Sequence, residues 1–450
     1  MRIVSRRHVR RAFRHTLATL LGGVLPIMAT AQQAPVASIA SPLARLADVY
    51  GAVLRNNPRV AGAQALVRAA EARVPGAKRP PDPQLQLGFM NYTLPGLAPM
   101  EPLGMTQLQL MQMVPLGGKL ALAGRAASAQ AAATGERARD VTWELRTRTA
   151  MAFYDLWAAE RQLAVTRETL RLLQDIARTT ESMYRVGQGR QADVLRAQVE
   201  IARMAEDTVR MQAMRQTMVA RLDALLNSEG VVVAPVLPEF PDSLPARFWL
   251  DSVAAAGRPM IRAGVDEVRA ADARARRARR ELIPDITVGI QYGRAPTTMQ
   301  TVGADGMPAT ERKVENMGSL MIGASIPIFA RDRQLQMRTE TSAMQAMAQA
   351  DVASMRAETQ GQVGEAYASL VRARNLVRLY HTTVLPQAEA TVASALSAYR
   401  VGQVDFMTLL DNRMNVNKYR EELAQLEADE GKAWAELEML TGRELLEAEP

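Results

Sequence analysis

The side chains that usually do chemistry are scarce in this 450-residue chain. It has no cysteine and only three histidines, His8, His15 and His381. Without thiols there is neither a disulfide framework nor a thiolate metal site. His8 and His15 lie in a stretch expected to be removed, which leaves His381. One histidine does not make a zinc site, and no Ser-His-Asp context surrounds it. No phosphate-binding loop and no nucleophile–base motif occurs. The sequence therefore predicts no enzyme, no cofactor and no metal centre. Methionine is the abundant soft ligand, with 25 copies. Met111 and Met113 alternate onto the same strand face as Gln107 and Gln109, and Met204, Met211, Met214 and Met218 share one helix. Thioethers suit Cu(I). Methionine is also a good helix former and gap filler, and no cluster here joins a His or Cys. Structural use is the expectation.

Two pentapeptides carry more information. Tyr184-Arg-Val-Gly-Gln188 returns as Tyr399-Arg-Val-Gly-Gln403, 215 residues later. Other pairs keep the same order. Arg68-Ala-Ala-Glu-Ala-Arg73 matches Arg269-Ala-Ala-Asp-Ala-Arg274, and Asn57-Pro58 matches Arg258-Pro259, both at an offset of 201. Val114-Pro115-Leu116 matches Ile326-Pro327-Ile328 at 212. The chain is thus one unit of about 200 residues used twice, a period too long for a solenoid. The copies are expected at 32–228 and 248–440. Between them, residues 229–247 hold Pro235, Pro238, Pro241 and Pro245, which forbid regular helix and mark a connector. Residues 441–450 remain as a tail.

The first residues form a separate piece. Six arginines and no acid precede an apolar run from Leu17 to Met28, and Ala29-Thr30-Ala31 follows. This is the layout of a secretory signal peptide, residues 1–31, with cleavage after Ala31. The full chain carries 55 basic and 47 acidic residues. Loss of the six arginines brings the net charge to +2, which argues against nucleic-acid binding. The absence of cysteine also leaves no residue for a lipid anchor.

Each copy predicts two strands, then two long helices. Strands are expected at about 84–93, 105–114, 285–293 and 317–328, where apolar residues alternate with Gln, Gly, Ser and Thr. Their length fits tilted membrane strands. The connections 95–104 and 294–316 read as exposed loops. Four strands cannot close a membrane barrel, so two copies would give eight strands and three copies twelve. Helices are expected at about 119–183, 193–227, 331–398 and 406–440, the third bent by Pro386. The first of these would extend roughly 100 Å. Such rods need lateral partners.

Together these features resemble the TolC-type outer-membrane efflux family, over nearly the whole chain after residue 31. Its most specific pieces are the two Tyr-Arg-Val-Gly-Gln turns and Pro115-Leu-Gly-Gly-Lys119. The resemblance implies a mainly α protein with membrane β structure. It implies a homotrimer with a shared 12-stranded β-barrel, four strands per protomer, and a long periplasmic α-helical barrel. It implies an outer-membrane channel that passively conducts substrate delivered by a periplasmic adaptor and an inner-membrane pump, of RND type. The pattern is similar to the heavy-metal branch, although such channels take substrate choice mostly from the pump.

The resemblance also places the turns at the periplasmic tips, where the channel narrows and meets its adaptor. The adaptor-contacting residues would be Tyr184, Arg185, Val186, Gly187 and Gln188 in the first turn, and Arg400, Val401, Gly402 and Gln403 in the second. Asp193 and Tyr399 match gate positions. An arginine of the family's gate falls on Val404 here, which leaves a Tyr399 hydroxyl to Asp193 hydrogen bond as the available latch. Asp193 equally suits the start of a helix. A soluble periplasmic adaptor or coiled-coil scaffold is the competing reading, and it leaves the strand pairs without a purpose.

Overall fold

The computed structural model describes residues 44–446, apart from 94, 97, 101–103, 230–232, 303, 305 and 306; at 298–302 and 308–312 it describes backbone only. The expected signal peptide lies outside the described residues, as do the last four residues of the tail.

Copy one runs α1 (Leu46–Asn56), α2 (Pro58–Ala77), β1 (Gln84–Met90), β2 (Tyr92–Thr93), β3 (Ala98–Pro99), β4 (Met105–Val114), α3 (Lys119–Arg185) and α4 (Gln191–Leu226). Copy two runs α5 (Arg247–Gly257), α6 (Pro259–Arg280), β5 (Ile286–Val302), β6 (Pro308–Ala324), α7 (Gln334–Leu379), α8 (Leu385–Arg400) and α9 (Phe406–Thr441). The duplicated X-Pro steps explain the breaks between the short helices. Pro58 and Pro259 each open a helix at its first position, where their missing N–H loses nothing. Asn57 caps α2 by accepting from the Arg59 N–H at 3.0 Å. Residues 234–246 form no helix or strand. They run beside the start of α1, with the Val236 N–H donating to the Ala44 carbonyl at 3.0 Å.

The four longer strands form one antiparallel sheet in the order β1-β4-β5-β6. The two copies therefore meet at the β4–β5 ladder, where Leu110 faces Ile290 and Val114 faces Ile286. Three expectations need correction. Residues 294–316 are mostly not loop, because β5 and β6 pair continuously to Val302 and Pro308. This extension places Arg294 and Asn316 on one face and Thr297, Lys313 and Glu315 on the other, so it lacks the alternation that marks a half-apolar strand. At its other end β6 stops at Ala324 rather than 328, since Pro327 has no N–H for a ladder. The first strand also breaks at Asn91, which takes a left-handed φ of 51°. Beyond it, Tyr92–Thr93 turns back to pair with Ala98–Pro99.

α3 has 67 residues, which at about 1.5 Å each extends roughly 100 Å. Its alanines and leucines pack against α2, α4, α6 and α9. The partner expected for a rod of this length is thus supplied on several faces. Where α3 leaves the sheet, Lys119 is buried. Its Nζ donates to the Ile283 carbonyl and to Asp285 Oδ1, both at 2.8 Å, with Glu281 Oε2 at 3.4 Å. One ammonium from copy one thereby fastens the strand entry of copy two. In copy two the long rod is interrupted. Tyr380–Val384 widens into a π turn just before Pro386, where the Leu385 N–H reaches the Tyr380 carbonyl. Proline lacks a donor and crowds the carbonyl four residues back, and one wider turn relieves that clash. An apolar core lies among α5, α7 and α9, with Leu250, Val363, Leu370, Trp434 and Leu437.

Candidate functional site

The duplicated pentapeptides end α3 and α8 in the same way. Gly187 and Gly402 both sit at φ 74°, a left-handed conformation that glycine adopts without strain. The Gly187 N–H donates to the Tyr184 carbonyl at 3.0 Å and the Gln188 N–H to the Met183 carbonyl at 2.9 Å. In the second turn Gly402 donates to Tyr399 at 3.0 Å and Gln403 to Ala398 at 2.9 Å. This paired return of orphan carbonyls is a Schellman closure. It directs each chain straight into a returning helix. Val186 and Val401 are 67% and 69% exposed. Arg185, Gln188, Arg400 and Gln403 are exposed beside them. Each tip thus offers an apolar residue ringed by polar ones.

The tyrosines differ. Tyr184 is 43% exposed, whereas Tyr399 is 7% exposed. The Tyr399 ring lies 6.0 Å from that of Phe406, and its hydroxyl lies 3.4 Å from Thr180 Oγ1 on α3. These residues join Leu173, Ala197, Met204, Leu409 and Leu410 in a core shared by α3, α4, α8 and α9. Asp193 is the third residue of α4 and is half-buried. Its N–H donates to the Arg190 carbonyl at 3.1 Å. Its carboxylate suits the positive helix terminus. Within one protomer Asp193 and Tyr399 are not hydrogen-bonded, and the tyrosine hydroxyl faces Thr180. Val404 is half-buried in the second turn.

Sequence reasoning assigned no role to three residues near the tips, Asp405, Phe406 and Thr180. Asp405 caps α9, accepting from the Thr408 N–H at 3.1 Å and from the Thr408 hydroxyl. Those hydrogen bonds hold its carboxyl below the usual range, with a smaller contribution from Arg190 of the other turn. Asp three residues before Thr is a readable cap. Phe406 and Thr180 could not be read, since their role depends on which helices meet. Farther along the same interface, a buried polar seam joins α3 to α9. Thr169 donates to Asn417 Oδ1 at 2.7 Å, Asn417 Nδ2 to Glu421 Oε1 at 2.9 Å, and Thr166 to the same oxygen at 3.1 Å. Burial pushes the Glu421 carboxyl upward, partly offset by the Asn417 and Thr166 bonds.

The opposite end of α3 meets the sheet. Its register aligns Leu85, Leu110, Ile290 and Leu320 in one row, all exposed. Leu87, Leu108 and Tyr292 form a second exposed row. The other face aligns Gln86, Gln109, Gln291 and Ser319. A continuous exposed apolar face of this kind is not a water-facing surface. β1 and β6 each pair on one side only among the described residues. No helix among the described residues is long and apolar enough to cross a membrane, and no group of three or more His, Cys, Asp or Glu there can hold a metal.

A sheet apolar on one side and polar on the other, joined to helical rods with matched tips, defines a protomer of a TolC-type outer-membrane channel. The chain belongs to the outer membrane efflux protein family, whose sequence profile matches residues 49–228 and 250–443, once on each copy. A search of curated proteins finds no significant match. Among solved structures it is similar to CusC, with a TM-score of 0.74 and 19% identity over 88% of this chain and 92% of that one. It is also similar to VceC of Vibrio cholerae, with a TM-score of 0.71 and 17% identity over 88% and 96%. The open-state outer membrane channel MtrE of Neisseria gonorrhoeae gives a TM-score of 0.69 and 16% identity over 89% of each chain.

Proposed function

We propose that three copies of this chain close a twelve-stranded barrel in the outer membrane and continue it as a helical conduit through the periplasm. The sheet carries this reading. Its exposed apolar rows need lipid, and its unpaired edges need neighbouring strands, because unsatisfied backbone groups are not tolerated in a bilayer. Two copies with eight strands or three with twelve would satisfy both needs, and the resemblance to TolC-type channels selects three. The charged hairpin of β5 and β6 beyond the apolar rows is the exterior end, since barrels of this class place long loops outside. Residues 1–31 would direct export. The channel is passive. An inner-membrane pump of RND type would load it through an adaptor that docks on the tips, where Val186, Val401 and their polar neighbours are exposed. Asp193 and Tyr399 are assigned to the entrance constriction. The tyrosine hydroxyl can accept from Thr180 and still donate to a carboxylate, so closing this bond requires Asp193 to be brought within reach, in a rearranged or intersubunit state.

Membrane fractionation followed by planar-bilayer recording tests this. The protein should need detergent for extraction, run as a heat-labile trimer and give discrete conductance steps. Release into the soluble fraction would overturn the channel in favour of a periplasmic scaffold. The double variant Tyr399→Phe, Asp193→Ala should raise conductance. Unchanged conductance would remove the gate assignment and leave the channel standing.

A further inference from the structure

The register of the sheet sorts the methionines. In the paired span of the four strands, Met90, Met105, Met111, Met113, Met317 and Met321 all project from the face that carries Gln86, Gln109 and Gln291, with Gln112 alone among the glutamines on the other. The apolar face of that span has Leu, Ile, Val, Phe and Tyr and no methionine. If methionine served only as apolar filling, the lipid-side face would suit it at least as well. Its confinement to the wet wall calls for another property, and that property is the thioether.

Two glycines organise these side chains. Met111 and Met321 are the two cross-strand partners of Gly289. A Cβ placed on Gly289 would lie 3.2 Å from Met111 Cγ and 3.5 Å from Met321 Cε. The two methionines thus lean in over the bare backbone from both sides. Four residues along, a Cβ on Gly293 would lie 2.8 Å from Met105 Sδ, and Met317 is the direct partner of Gly293 on its other side. Each glycine therefore leaves a shallow seat with a methionine residue on each flank. Gln109 Nε2 lies 3.8 Å from Met321 Sδ, which ties the lower pair into the glutamine row. At about 3.3 Å per residue, the two seats are roughly 13 Å apart along the strands.

We propose that these seats, Met111 with Met321 over Gly289 and Met105 with Met317 over Gly293, are two tiers of a binding path for soft monovalent d10 cations, Cu(I) or Ag(I). Neutral thioethers bind such ions and leave hard cations such as K⁺ in water. They add no charge, so the ion is held without being trapped. A conduit needs that balance: sites favourable enough to enter, repeated, and weak enough to leave. In the trimer the two tiers become two rings of six sulfurs. The inference rests on the channel reading, which makes this face the lumen wall.

The test uses Ag(I) in nitrate buffer with the detergent-solubilised trimer, by equilibrium dialysis, alongside K⁺ conductance in bilayers. The wild type should retain silver, and silver should lower the K⁺ current reversibly. Met111→Leu with Met321→Leu should halve the bound silver. Adding Met105→Leu and Met317→Leu should weaken retention at least tenfold. Leucine keeps the apolar volume and removes the sulfur, so the trimer band of all variants should match the wild type, and each variant's silver retention is read against its own K⁺ current. Met344→Leu with Met347→Leu, on exposed positions of α7, should change nothing. Equal silver retention by the fourfold variant, or none by the wild type, overturns the proposal. Conductance that responds to apolar organic cations equally in wild type and fourfold variant, with no silver effect, would show an apolar wall instead. Absence of K⁺ conductance in the wild type is the separate failure of the channel reading.

Discussion

The two tip turns share five residues and one backbone conformation, and they differ in almost everything that follows. Aligned on Gly187 and Gly402, Arg190 corresponds to Asp405 and Gln191 to Phe406. Asp405 caps its helix with its side chain, whereas Arg190 does not. Phe406 is buried beneath Tyr399, whereas Gln191 and Tyr184 are exposed. The second turn is therefore pinned by side chains and the first is held chiefly by its backbone closure. Duplication has preserved the instruction to turn and released the instruction to pack. It follows that the first tip is the less anchored of the two, and that the second tip carries the side-chain packing between the hairpins.

The largest effect should come from the buried side of that comparison. Phe406→Ala removes a ring at the centre of the tip core, and such truncations typically cost about 3–5 kcal/mol. The expected outcome is early loss of hydrogen-exchange protection confined to α8, the start of α9 and the adjoining end of α3, with the sheet end unaffected. Gln191→Ala, the matching change in copy one, should stay within about 0.5 kcal/mol. Equal effects from the two variants would show that the turns are not divided into anchored and free.

The next test concerns the tyrosines. Tyr399→Phe keeps the ring against Phe406 and removes the hydroxyl facing Thr180. A lost hydrogen bond of this kind is worth about 0.5–1.5 kcal/mol, and the 3.4 Å separation places it at the lower end. Tyr184→Phe should be neutral for stability, because its side chain is exposed at the tip rather than packed in the core. The check is a pair of urea melts followed by fluorescence of a label near each tip. A stability loss at Tyr184 as large as that at Tyr399 would overturn the distinction.

These contrasts also show what could be read in advance. The repeat, the four strands and the long helices follow from local regularities: period-two alternation, proline-free runs of good helix formers, and X-Pro steps that start helices. The turns were legible because Gly at a left-handed position after a helical run has a local signature. The length of the β5–β6 hairpin was not, because beyond the apolar rows its charged residues carry no facial pattern. Nor was the environment of Tyr399. Nothing near Tyr399 in sequence announces Thr180, which lies 219 residues away and meets it only when α3 and α8 pack. The polar seam of Thr166, Thr169, Asn417 and Glu421 was invisible for the same reason. The sorting of methionines by face needed the cross-strand register, which adjacent residues alone do not give.

The smallest effect separates the turns by pH. Asp405 is depressed in the folded state, first by its two bonds from Thr408 and only slightly by Arg190. A depressed carboxyl binds fewer protons folded than unfolded, so its contribution is present above the ordinary aspartate range and is lost as pH falls through the lowered value. Acidification should therefore loosen the second tip before the sheet end responds. The group is fully exposed, so screening keeps the effect modest. Glu421, in the seam behind the tip, is shifted upward by burial. It works in the opposite sense: the folded state holds its proton more tightly, and the seam weakens as pH rises from the ordinary glutamate value toward the raised one. Local hydrogen exchange across acidic pH should resolve the two. Asp405→Asn should remove the acid-side loosening at the start of α9 and leave the Glu421 response intact, whereas Glu421→Gln should do the reverse. If Asp405→Asn leaves the acid response of the second tip unchanged, the cap is not what distinguishes the anchored turn, and the packing of Phe406 alone accounts for it.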